Sequence, residues 1–128
     1  MQVNWRSIHA ARNTYAVLYA ACEREGFCLA PVDSPKSDIT CYSLNSINAE
    51  RYLPEIAAAD CLTVVGGPHA TACPEDMARY ADYVVVGEGE FTLPRLLADI
   101  AGGGEGHIPG VMTGDRYVPA DTAVRLDA

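Results

Sequence analysis

Cys61-Leu62-Thr63-Val64-Val65-Gly66-Gly67-Pro68-His69-Ala70-Thr71 is an apolar run that stops at a glycine pair. A second run, Tyr83-Val84-Val85-Val86, stops the same way at Gly87-Glu88-Gly89-Glu90. Continuous β-branched runs of this length read as strands buried on both faces, as in a parallel sheet. Glycine at the carboxyl end lets the backbone turn and lets another group approach closely. In open α/β sheets that edge is where ligands bind.

Working outward, strands and helices alternate. Val3 to Ile8 reads as a first strand, with Asn13 and Thr14 as N-cap chemistry for a helix over Tyr15 to Glu25 and Gly26 closing it. Phe27 to Val32 and Asp38 to Ser43 read as strands joined by a turn at Asp33-Ser34-Pro35-Lys36-Ser37. A helix over Asn48 to Ala59 should break or restart at Pro54. Thr71 caps a short helix with Pro74 in its first turn, and Thr92 and Pro94 open a last one that Gly102-Gly103-Gly104 ends. Val111 to Val118 reads as a small hairpin turning at Gly114-Asp115. This predicts an α/β, Rossmann-like (flavodoxin-like) domain with a parallel five-stranded sheet in the order 2-1-3-4-5 and a small C-terminal β-hairpin.

Composition narrows the function. The 128 residues suffice for one domain, and 49% of them are hydrophobic. The formal net charge is -8 with no compensating Lys and Arg cluster, which argues against nucleic acid and against anionic membranes as partners. No apolar stretch reaches the ~20 residues of a spanning helix, and no signal-peptide pattern opens the chain. The expectation is a soluble cytoplasmic protein. The five cysteines, Cys22, Cys28, Cys41, Cys61 and Cys73, form no CxxC pair and read as free thiols, not as a zinc or iron–sulfur site.

The predicted topology brings four loops to the carboxyl edge: Arg12-Asn13-Thr14, Ser43-Leu44-Asn45-Ser46, Gly66-Gly67-Pro68-His69 and Gly87-Glu88-Gly89-Glu90. They offer hydroxyls, amides, bare backbone and one imidazole, but no catalytic triad. Gly87-x-Gly89 begins like a dinucleotide fingerprint, yet Thr92 stands where the third glycine belongs and the motif follows the last parallel strand. No P-loop lysine is present. Glu88 and Glu90 share a face on an extended segment and suit acid–base work, or else they meet the positive end of the next helix. His69 suits a ligand or a hydrogen bond that shapes its turn. Ser43 lacks a nucleophile elbow and reads as a strand-end hydroxyl.

Together, Val64 to Thr71, Pro74-Glu75, Asp82 to Glu90, Thr92-Leu93 and Leu96-Leu97 resemble the amino-terminal cobalamin-binding domain of B12-dependent radical SAM proteins. Ile108-Pro109-Gly110-Val111 and Arg125-Leu126-Asp127 are similar to the stretch that leads into the radical SAM core of that family. The resemblance implies a cobalamin-binding domain over residues 1–118 and a linker over 119–128 toward a radical SAM domain. It implies cofactor contacts from Asn13, Thr14, Ser43, Leu44, Asn45, Gly66, Gly67, Pro68, His69, Gly87, Glu88, Gly89 and Glu90. Methylcobalamin or another cobalamin would be presented there for methyl transfer or a related radical reaction. The family's Cys-x-x-x-Cys-x-x-Cys triplet is missing, so S-adenosylmethionine and the 4Fe-4S cluster would belong to the other domain. Asp-x-His-x-x-Gly is also missing after the first strand, so no protein histidine is expected on cobalt. The alternatives are a cofactor-free structural or docking domain of the same fold, or a small-molecule enzyme using Glu88 and Glu90.

Overall fold

The β-branched runs pair into a single sheet in the computed structural model, which describes residues 1–120. Strands β1 (Val3–Arg6), β2 (Leu29–Val32), β3 (Ile39–Ser43), β4 (Leu62–Gly66) and β5 (Tyr83–Val85) are parallel. Strands β6 (Val111–Thr113) and β7 (Arg116–Tyr117) run antiparallel, and the whole order is β2-β1-β3-β4-β5-β6-β7. The chain is therefore an α/β protein with the flavodoxin-like 2-1-3-4-5 core. The hairpin is not a separate appendage. Val84 pairs with Met112 and Val85 with Val111, which makes seven strands where five plus a hairpin were expected.

Period two divides the strands between two faces. Trp5, Cys41 and Val64 lie in register on one face, and the ring of Trp5 stands 5.4 Å from that of Tyr15 on helix α1 (Arg12–Glu23). Helix α5 (Gly89–Ala101) packs against α1. The opposite face carries Tyr42, whose ring meets Tyr52 of helix α2 (Ala49–Ala57) at 6.5 Å. Helices α3 (Pro68–Ala72) and α4 (Pro74–Met77) connect β4 to β5. No helix among the described residues is long and apolar enough to cross a membrane.

Three local expectations are corrected. Asn13 and Thr14 are not caps: a 3-10 turn at His9–Ala11 runs straight into α1, and Ala11 holds the N-cap position without a side-chain hydrogen bond. Pro54 does not interrupt α2, because it is exposed and the carbonyl it leaves unbonded belongs to Glu50 in the first turn. Thr71 is not a cap either, since the chain turns helical at Pro68, a proline at the first helical position. The α/β alternation also breaks once. Between β2 and β3 a six-residue strap replaces a helix, and the buried Asn4 holds it by donating Nδ2 to the carbonyls of Lys36 (2.9 Å) and Ser37 (3.0 Å).

Residues 121–128, most of the expected linker, lie outside the described residues.

Candidate functional site

A cleft of about 680 Å³ opens at the carboxyl edge, between the sheet and the amino-terminal turns of α1 and α5. Strand register builds its floor. One row is Trp5, Cys41 and Val64; the next is Ser43, Gly66 and Val85. Gly66 leaves a notch in the second row, where an added Cβ would touch nothing nearer than Val85 Cβ at 3.7 Å. Val17 and Leu18 of α1 and Leu93 of α5 form the walls. Volumes of ~300–1,000 Å³ are usual for small-molecule sites.

The polar groups sit mainly at the mouth. Asn13 and Thr14 are exposed in the first turn of α1, and Thr71 is exposed on α3. Thr71 Oγ1 accepts a hydrogen bond from the Gly87 amide at 2.9 Å, tying α3 to the loop after β5. Glu88 holds the N-cap position of α5 and Glu90 lies in its first turn, where a carboxylate meets the positive helix end. The helix begins at Gly89, so the two glutamates do not share a face on an extended segment. Of the buried polar residues among those described, Ser43 alone lines the cleft. Cys41 is also in the floor, and burial pushes its thiol well above the ordinary range, so it stays protonated.

Among the described residues, no lysine, arginine or histidine lines the cleft. No group of three or more His, Cys, Asp or Glu among the described residues could hold a metal ion. The cleft is an apolar slot with hydroxyl, amide and carboxylate groups around its entrance.

Ten sequence-picked residues meet here: Asn13, Thr14, Ser43, Gly66, Gly67, Pro68, Gly87, Glu88, Gly89 and Glu90. Leu44, Asn45 and His69 do not line the cleft. Leu44 is fully buried, and its amide donates to the Gly66 carbonyl at 2.9 Å while its own carbonyl accepts from the His69 amide at 3.2 Å. Asn45 Oδ1 accepts the amides of Ile47 and Asn48, both at 2.9 Å, and so fixes the loop after β3. Sequence reasoning passed over the floor itself. Trp5, Cys41, Val64 and Val85 read as plain core, and only cross-strand register separates those at the edge from those below it.

The family model of the B12 binding domain matches residues 39–97, from the start of β3 into α5. The match takes in three of the four loops at the carboxyl edge and leaves out β1 and α1. Among curated proteins, none matches the chain.

Proposed function

We propose that this chain is a cobalamin-binding module that serves a radical SAM domain. The carrying observation is the notched apolar cleft at the carboxyl edge, in a chain whose residues 39–97 match the B12 binding domain. A corrin is a broad disc with amide arms and a nucleotide tail. The disc would rest across the mouth of the cleft, where Asn13, Thr14, Thr71, Glu88 and Glu90 present partners for amides. The tail is narrow and would enter between α1 and α5, past Gly66. Cobalamin supplies an alkyl–cobalt bond for methyl transfer or a related radical reaction. The chain's own residues bind and orient the cofactor and shield it from water. On this reading radical generation belongs to a partner domain, since the chain carries no Cys-x-x-x-Cys-x-x-Cys triplet.

The test mixes the purified chain with hydroxocobalamin and follows the visible spectrum through gel filtration. Coloured protein is the expected result. Colourless protein at high ligand concentration overturns the proposal. It would favour a cofactor-free docking domain, a reading that one observation supports: the fold's own packing already accounts for Gly67, because a Cβ there would meet Leu44 and Ser43.

A further inference from the structure

The cleft is unevenly polar, and the unevenness has a chemical meaning. Its floor and walls bury Trp5, Cys41, Val64, Val85 and Leu93, each exposed by 3% or less. Among the described residues that line that depth, the buried polar side-chain groups are the Ser43 hydroxyl, the Trp5 indole N–H and the protonated Cys41 thiol, while the Tyr42 hydroxyl is spent on Glu55. The carboxylates and the Asn13 amide lie at the exposed mouth. The depth therefore offers few side-chain hydrogen bonds, and among its side chains no ionised group or amide.

Resting on the cobalamin reading above, we infer that the cleft selects corrinoids by their lower base, favouring an alkylated benzimidazole over a purine. A benzimidazole freed from cobalt has one unsubstituted ring nitrogen, which one hydroxyl satisfies, and its methylated ring is apolar. Adenine carries several ring nitrogens and an exocyclic amine. A buried polar group without a partner is penalised, and the penalty grows with the number left unpaired. Chemistry outside the protein works in the opposite direction. Adenine is the weaker cobalt ligand and leaves the metal more readily, so poorer binding of the adenine form cannot come from the step that frees the base.

The experiment titrates the full chain with three corrinoids, following visible absorbance and calorimetry. These are cobalamin, its analogue with adenine as lower base, and cobinamide, which has no nucleotide tail. Cobalamin should bind at least tenfold more tightly than either of the others. Equal affinity for cobalamin and the adenine analogue overturns the selectivity and leaves the cobalamin reading standing. Equal affinity for cobalamin and cobinamide also overturns it, because the tail would then contribute nothing. Failure of all three to bind overturns the cobalamin reading, and the selectivity with it. A second measurement uses Val64→Asn, which adds an amide to the floor. The ratio of cobalamin to adenine-analogue affinity should narrow, whatever the change in either affinity alone; an unchanged ratio in a folded variant counts against the inference.

Discussion

Tyr42 donates its hydroxyl to Glu55 Oε2 at 2.6 Å, across the face of the sheet opposite the cleft. Arg6 reaches the same carboxylate, with Nε 2.9 Å from Oε2 and Nη2 3.2 Å from Oε1. The Arg6 guanidinium also lies 5.3 Å from the centre of the Tyr52 ring. This network joins the carboxyl ends of β1 and β3 to α2. It fixes Tyr42, whose chain neighbours Cys41 and Ser43 lie in the cleft floor.

Burial alone would raise the Glu55 pKa, but the hydrogen bonds from Arg6 and Tyr42 and the charge of Arg6 outweigh it and hold the carboxyl below its ordinary value. A lowered folded-state pKa stabilises the fold above the unfolded value, near 4.5, and the contribution fades as pH falls through the folded value. Wild type should exceed Glu55→Gln by about 1–3 kcal/mol at pH 7. The gap should hold down to roughly pH 5 and close below it. Urea midpoints across pH 3–7 measure this; a gap that widens on acidification contradicts it.

Asn4 replaces what a helix does elsewhere on the sheet. Its Nδ2 also reaches the Ile39 carbonyl at 3.1 Å, so one buried amide serves three carbonyls. Asn4→Leu removes the donor and leaves those acceptors facing an apolar side chain. We expect a loss of about 2–3 kcal/mol, from the cost of unsatisfied buried groups. The loss should come with faster amide exchange over residues 33–38. Unchanged exchange there would show that Asn4 does not hold the strap.

The strand order was legible because strand and helix patterns alternate along the chain and β4 and β5 are β-branched runs closed by glycine. The helix starts were not. Asn13, Thr14 and Thr71 have cap-forming side chains, but the chain is already helical at Arg12 and at Pro68, so tertiary placement overrode a local signal. The hairpin was legible from Gly114-Asp115, yet its docking on β5 was not, because pairing between distant strands leaves no local trace. The rim of the site showed in its glycines. The floor did not, since Val64 and the deeper Ile39 are alike as sequence and differ only in register.

Gly67 and Gly66 look equivalent in sequence and are not. Gly67 has φ +98°, and an added Cβ would stand 2.7 Å from the Leu44 carbonyl oxygen and 2.9 Å from Ser43 Oγ. The obstructing oxygen is backbone, which cannot swing aside. Gly67→Ala should cost about 2–4 kcal/mol from strain and overpacking together. Denaturant titration checks this, and a change under 0.5 kcal/mol would refute the close approach. A bulky residue here would abolish ligand binding by disturbing the fold, so this position cannot report on the cleft.

Gly66 can. It lies at the end of β4 outside the left-handed region, with only Val85 Cβ at 3.7 Å and the Val85 carbonyl oxygen at 4.0 Å from an added Cβ. These are ordinary contacts, so Gly66→Ala should keep stability within about 0.5 kcal/mol of wild type. Gly66→Phe sends its ring into the notch between Ser43 and Val85, a space already open, and should leave thermal unfolding cooperative. In gel filtration with hydroxocobalamin, the alanine variant should retain most of the colour and the phenylalanine variant should elute colourless. A folded phenylalanine variant that binds as tightly as wild type would mean that the tail does not pass Gly66.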